Sequence, residues 1–136
     1  MRFERFRHRW TLLCIVTFVV AVATAAALNW RAQHRSETLA RAMVGGDLAR
    51  APGIIRRYGC AGCHTIPGIP GGDGQVGGPL ADIGHRVYVG GVVSNTPDNL
   101  VQWIVSPQSF SPQSAMPATG ITAAEARDVA TFLYSR

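Results

Sequence analysis

The chain has 136 residues, of which 47% are hydrophobic, and this length suits one domain with a targeting or anchoring segment. All 13 basic residues are arginine, and the formal net charge is +5 at pH 7. Residues 1–9 carry +3, residues 31–57 carry +4 and residues 58–136 carry −2. The basic excess lies in the N-terminal third, where a solvated linker explains it as well as a binding surface does. It gives no support for nucleic-acid binding.

An uncharged, mostly apolar run at residues 11–28 lies between Trp10 and Trp30. As a helix that rises about 1.5 Å per residue it would measure roughly 27 Å, close to a hydrocarbon thickness of about 30 Å. The arginines before the run fit the positive-inside rule, and the tryptophans fit the aromatic belts of a membrane. The pattern predicts a transmembrane anchor within residues 1–30, with residues 1–9 in the cytoplasm.

A cleaved signal peptide is the alternative interpretation of this run. Small residues at positions 23–27 offer cleavage patterns, but the apolar part of a signal peptide is usually about 7–15 residues, shorter than this run. The anchor is therefore favoured. Both interpretations export the rest of the chain, which predicts a domain on the periplasmic side of the inner membrane.

Residues 31–46 are predicted to be a linker. Within it, Leu39 and Met43 are four residues apart and suit a short helix that the following pair of glycines would stop. Asp47 is a predicted N-cap for the next helix, which Pro52 would kink or restart. The apolar stripe of that helix consists of Leu48, Ala51, Ile55 and Tyr58.

Residues 60–64, Cys-Ala-Gly-Cys-His, carry the most specific chemistry of the chain. The thiols of Cys60 and Cys63 can each add across one vinyl group of a haem, and His64 then binds the iron as its proximal ligand. A thioredoxin-like pair would follow a strand and begin a helix, whereas glycine and proline follow this motif. A structural zinc site would need a second pair of soft ligands, and the remaining cysteine, Cys14, lies in the apolar run. The motif predicts one covalent haem c, with its iron.

Residues 59–91 contain eleven glycines and three prolines, a composition typical of a disordered linker. The haem motif within this stretch argues for order, because irregular backbone can pack on a haem. A domain of about 90 residues gains little from its own core, and a covalent macrocycle would supply the missing apolar centre. We therefore expect a haem domain at residues 47–136.

Two further helices are predicted after the glycine-rich stretch. The first begins at residues 95–98, where a capping side chain precedes a proline, and the second begins at Thr122, with Glu125 completing a capping box. Their apolar faces carry Leu100, Trp103 and Ile104 in the first helix, and Ala126, Val129, Ala130 and Leu133 in the second. No segment has a convincing strand pattern, so the predicted fold class is all-α.

The sixth position of the iron decides what a haem held by His64 can do. An open position permits oxygen or peroxide chemistry, whereas a thioether closes it and raises the potential. Met116 lies 52 residues after His64 between two predicted helices, whereas Met43 precedes the motif. His85 is a rival ligand, but its neighbours suit a surface loop. We expect Met116 to be the second axial ligand.

From about residue 47 to residue 136 the sequence resembles class I cytochromes c. The motifs that carry the resemblance are residues 60–64, Gly-Pro-Leu at 78–80, Leu-Val-Gln-Trp at 100–103, Pro107, Pro112, Met-Pro at 116–117 and Ala-Thr-Phe-Leu at 130–133. The resemblance implies the class I fold around one covalent haem, here preceded by the transmembrane helix.

The resemblance also implies roles for particular residues. The carbonyl of Pro79 would accept a hydrogen bond from Nδ1 of His64, which orients the ring and raises its basicity. Arg86 would lie on the propionate side of the haem, where it could pair with a propionate or stay solvated. Trp103 would pack beside Met116, a position that an ordinary core residue would also take.

Residues 86–116 look most like the cytochrome c domain fused to subunit II of caa3-type oxidases, and similar domains occur as small membrane-anchored cytochromes. The resemblance implies a carrier of single electrons in a respiratory chain, to or within a haem–copper terminal oxidase, with respiratory subunits as partners. The chain has no lysine, so the lysine docking surface of many soluble cytochromes c is not carried over.

Three alternatives remain open at the level of sequence. The first is the electron-accepting subunit of a periplasmic dehydrogenase. The second is a haem enzyme with an open sixth position, which would require Met116 not to bind and for which the sequence offers no obvious distal acid or base. The third is a structural subunit whose haem only stabilises the fold. We expect an electron-transfer protein rather than an enzyme.

Overall fold

A computed structural model describes the backbone of residues 2–136 and the side chains from residue 9 onward. The chain divides into a first unit that ends at Arg35 and a second unit, Ser36–Arg136. The helices are α1 (Arg2–Val44), α2 (Ala51–Arg57), α3 (Cys60–Cys63), α4 (Pro97–Val105) and α5 (Ala123–Tyr134), with short 3-10 turns at Ile83–His85 and Pro107–Ser109. The largely helical architecture confirms the predicted class.

The second unit also contains a small hairpin that periodicity does not predict. Strand β1 (Tyr88–Val89) pairs antiparallel with β2 (Val93–Ser94). Two residues per strand are too few for an alternating pattern to show. The turn is made by Gly90 and Gly91, which have φ angles of 56° and 73° that most other residues adopt only at a cost.

Helix α1 contains the apolar run, and it is long and apolar enough to cross a membrane. It continues through the stretch predicted as a linker and ends at Val44, which is followed by Gly45 with a φ of +80°. Ala40 and Val44 are buried in the second unit, whereas Leu39 and Met43 are exposed. The division of the chain into anchor, linker and domain stays a prediction, but the backbone at 31–44 is helical.

The end of α1 is fixed by the polar side of α5. Arg127 donates to the carbonyl of Val44 over 3.0 Å, and the Gly46 N–H donates to Thr131 Oγ1 over 3.0 Å. The Asp47 N–H donates to Asp128 Oδ1 over 2.8 Å. These groups would otherwise lie unpaired at a helix end, so the contacts attach residues 44–47 to the core of the second unit.

Asp47 is not the N-cap of α2, contrary to expectation. Its carboxylate accepts from the Ala49 N–H over 2.9 Å, in a turn that precedes the helix. Helix α2 begins at Ala51 with Pro52 in its first turn. Proline has no N–H, and the first turn of a helix leaves its N–H groups without intrahelical partners, so Pro52 is accommodated at this helix start and neither kinks nor restarts the helix.

The other two helix starts are as predicted. The Thr96 hydroxyl accepts from the Asn99 N–H over 3.2 Å, and Thr122 and Glu125 form a reciprocal capping box. The Glu125 carboxylate also accepts from Tyr58 Oη and from Arg57, each over 2.8 Å, which joins α2 to α5. The four residues predicted for the inner face of α5 are all buried.

Candidate haem-binding site

Helix α3 is a single turn that carries both cysteines of the motif. Cys60 and Cys63 are three residues apart, so they share a face of this turn. Both are free thiols, with Cys60 half-buried and Cys63 exposed. Burial raises the pKa of the Cys60 thiol above its ordinary value. Burial therefore keeps the Cys60 thiol protonated near pH 7.

His64 follows α3 in extended backbone, with its ring against the segment 77–78. Its Nδ1 lies 2.7 Å from the carbonyl oxygen of Gly78. A carbonyl oxygen only accepts, so Nδ1 carries the proton and Nε2 keeps a lone pair for a metal. A Cβ at Gly77 would lie 2.3 Å from Cε1 of this ring, so only glycine fits there.

The carbonyl that faces His64 is not the one that the resemblance implies. Gly78 supplies the oxygen, whereas the carbonyl of Pro79 accepts from the Arg86 guanidinium over 2.6 Å. The same guanidinium nitrogen donates to the carbonyl of Ala81 over 3.0 Å. Because Arg86 holds the Pro79 oxygen, the preceding peptide group presents its own oxygen to the ring. The prediction for Pro79 was wrong by one residue.

A side-chain network supports the turn that carries Arg86. Asn95 Nδ2 donates to the carbonyls of Ile83 and Arg86 over 2.6 and 2.9 Å, and Tyr134 Oη donates to Asn95 Oδ1 over 2.9 Å. From sequence, Asn95 is only part of a helix start. Burial raises the pKa of Tyr134, so its hydroxyl stays protonated and able to donate at neutral pH. The end of α5 thereby fixes the Arg86 turn.

A cavity of about 260 Å³ lies in the second unit. Five of the predicted site residues line it: Cys60, His64, Arg86, Trp103 and Met116. Most of the remaining wall is apolar and is supplied by α2, α4, α5 and the segment 66–89: Ile55, Ile66, Leu80, Ile83, Val89, Leu100, Ile104, Val129 and Leu133. Cys63 and Pro79 lie outside this lining.

The residues of the cavity fit a haem. Packed protein interiors hold few voids larger than a water molecule, so a cavity of this size and polarity suits a large apolar group. Its wall brings together a thiol, an imidazole with Nε2 available and a thioether, which are groups that bind a haem or its iron. Arg86 adds one positive charge, which suits a carboxylate-bearing macrocycle.

Met116 lies in an irregular loop between α4 and α5, and its backbone is held at both polar atoms. Gln108 Nε2 donates to the Met116 carbonyl over 2.7 Å, and the Met116 N–H donates to Ser114 Oγ over 3.3 Å. No sequence pattern identifies Gln108, because an isolated glutamine after a helix reads as a surface residue.

Trp103 and His85 lie in different surroundings. Trp103 is half-buried on the cavity wall and stacks on Phe110, with ring centroids 6.2 Å apart. A Cβ at Gly90 would lie 2.3 Å from the Trp103 ring, so the hairpin turn closes tightly over this side chain. His85 is exposed and is not among the cavity residues.

Residues 49–136 match the cytochrome c family. Cytochrome c oxidase subunit 2 of Alkalihalophilus pseudofirmus is 35% identical over 66 residues, which make up 48% of this chain and 18% of that protein. No solved structure matches the chain. The family match covers well over half of the chain and contains the whole wall of the cavity. The chain therefore belongs to the cytochrome c family, and it is an electron-transfer protein with covalently bound haem c.

Proposed function

We propose that this chain is a membrane-anchored carrier of single electrons, with His64 and Met116 as the axial ligands of its haem iron. The observation that carries the proposal is that both side chains line one cavity. Ligation by histidine and methionine fills both axial positions, so the iron exchanges electrons but does not bind oxygen or peroxide.

The residues of this chain would each contribute one part of the site. The bound haem supplies a one-electron couple between ferric and ferrous iron. His64 would bind through Nε2, held in orientation by Gly78, and Met116 would contribute its thioether. The two cysteines would fix the haem through thioether bonds, and the apolar wall would exclude water. A methionine ligand raises the potential, which suits donation to an oxidase.

The acceptor in this proposal is a haem–copper terminal oxidase. It is supported by the similarity to a protein named cytochrome c oxidase subunit 2, over a short part of that longer protein. Helix α1 would hold the carrier in the same membrane as the oxidase, with the second unit on the periplasmic side. Sharing a membrane raises the effective concentration of the two proteins for one another.

The experiment is quinol-driven oxygen consumption by membranes that lack this chain and by membranes to which the purified, haem-loaded chain has been restored. Restored turnover supports the oxidase as acceptor. Unchanged turnover in its absence contradicts that acceptor and favours a dehydrogenase partner. Rapid binding of carbon monoxide by the reduced protein would instead indicate an open sixth position and a haem enzyme.

A further inference from the structure

The loop that carries Met116 is built from turns rather than from regular secondary structure. The N–H of Ser111 donates to the carbonyl of Pro107 over 3.0 Å, and the N–H of Ser114 donates to the carbonyl of Ser111 over 2.9 Å. Met116 and its neighbours are half-buried or exposed. The position of such a loop depends on the few side chains that hold it.

Gln108 is the side chain that ties this loop to a rigid element. It lies in the 3-10 turn that directly follows α4, and it comes after Pro107, which is one of the most deeply buried residues. Its Nε2 donates to the carbonyl of Met116 over 2.7 Å and lies 3.3 Å from the carbonyl of Ser114. A side-chain amide carries two N–H donors, so one nitrogen can bind both oxygens.

We propose that Gln108 is a positioning residue for Met116, and this inference rests on Met116 being an axial ligand. Helix α4 supplies Trp103 and Ile104 to the cavity wall, and Gln108 connects the Met116 backbone to the end of the same helix. Its hydrogen bonds favour the loop conformation in which the thioether faces the cavity. Without these hydrogen bonds, an external ligand displaces Met116 from the iron more readily.

The test measures binding of imidazole to the ferric, haem-loaded full chain, with the weak near-infrared sulfur-to-iron band as a second readout. Gln108→Met keeps the length of the side chain and removes both donors. Because a typical hydrogen bond contributes about 0.5–1.5 kcal/mol, and about 1.4 kcal/mol corresponds to a factor of ten, we expect imidazole to bind roughly twofold to twelvefold more tightly. Gln108→Glu places a carboxylate against two carbonyl oxygens and has the larger effect. Gln113→Met, at an exposed site in the same loop, is the matched control and leaves the affinity unchanged.

The possible results separate this inference from the proposed ligation. Tighter imidazole binding by the Gln108 variants, with an unchanged urea unfolding midpoint, supports a positioning role. Wild-type affinity and an intact band in both Gln108 variants overturn the inference while leaving Met116 as the ligand. An unfolding midpoint that falls in proportion to the affinity change assigns Gln108 to general stability and also overturns it. Absence of the band from the wild-type protein overturns the ligation and the inference together.

Discussion

The imidazole of His64 donates a hydrogen bond from Nδ1 to the carbonyl oxygen of Gly78 over 2.7 Å. This bond selects the tautomer that leaves Nε2 for the iron, and it makes the imidazole a more basic ligand. The two neighbouring glycines have separate roles. Gly78 supplies the oxygen, whereas Gly77 gives the ring the space in which to face it.

Gly77→Ala should therefore destabilise the haem-loaded protein, whereas Gly53→Ala, at an exposed site outside the cavity, should be tolerated. The added methyl group at position 77 would lie 2.3 Å from His64 Cε1, but nothing lies within 4 Å of one at position 53. Overpacking of this kind costs about 1–3 kcal/mol. Urea unfolding of the two variants measures the difference, and equal losses would contradict the ring contact.

If Met116 is the axial ligand proposed above, Met116→Ala should abolish the near-infrared sulfur-to-iron band and lower the reduction potential, because the iron would lose its thioether ligand. Met43→Ala is the matched control, since Met43 is exposed and lies outside the cavity. Optical spectra and a potentiometric titration of both variants make the comparison. A band that persists in Met116→Ala would show that the ligand is assigned wrongly.

The stability of the second unit should depend on pH through Glu125. Hydrogen bonds from Tyr58 and then from Thr122, with the charge of Arg57, hold the pKa of this carboxyl below its ordinary value. Its contribution to stability is present above the unfolded-state pKa of about 4.3 and is lost as pH falls through the lowered folded-state pKa. Glu125→Gln should reduce the free energy of unfolding at pH 7, and the deficit should shrink toward pH 3.

The hydrogen bond from Tyr58 to Glu125 should also make the stability of the second unit depend on pH in the alkaline range, where stability is lost as pH rises. The hydrogen bond to Glu125 raises the pKa of Tyr58, so its contribution is present below the ordinary tyrosine pKa and is lost as pH rises through the raised value. Tyr58→Phe should therefore become equivalent to the wild-type protein at alkaline pH. A deficit that is constant from pH 7 upward would argue against this bond.

The apolar part of α1 should stay attached to the mature protein and hold it in the membrane. Intact mass of the membrane-extracted protein should include residues 1–30, and a mature chain that begins near residue 26 would identify a cleaved signal instead. Val16→Arg places a charge in the apolar run at a cost of about 2.5–3.5 kcal/mol and should reduce retention in washed membranes. Val92→Arg, at an exposed site in the second unit, should not.

Electron transfer to the acceptor should change only modestly between low and moderate salt. Residues 36–136 contain seven arginines and seven carboxylates, and exposed charges are screened over roughly 8 Å at physiological ionic strength. Arg50 and Arg57 already lie beside Asp128 and Glu125. Stopped-flow rates at several salt concentrations test this prediction, and a steep fall would indicate docking led by exposed arginines such as Arg56.

Sequence patterns correctly predicted those features of this protein that are formed by residues close to one another in the sequence. The capping side chains of Thr96 and Thr122 act within four residues, and the inner face of α5 follows from helical spacing. The haem motif combines two thiols and an imidazole within five residues. Such features need no knowledge of the rest of the fold.

Contacts between distant segments were not predictable from these patterns. The segment 31–46 is rich in arginine and was predicted to be a linker, yet its backbone is helical to Val44, and Ala40 and Val44 are buried within the second unit. Asn95 and Gln108 donate hydrogen bonds to backbone carbonyls. Because every residue has a carbonyl, the sequence does not indicate which one a side chain will reach. Whether the carbonyl of Gly78 or that of Pro79 accepts from His64 depends on the position of Arg86, which binds the Pro79 oxygen.

The attachment of the end of α1 to α5 brings the entry and exit of the second unit side by side. The Ser36 hydroxyl donates to the carbonyl of Ser135 over 3.1 Å, one residue before the end of the chain. A unit whose two ends meet can be joined to other sequences with little disturbance of its interior. The same haem-binding unit can therefore follow a long apolar helix, as it does in this chain, or be appended to a much longer subunit.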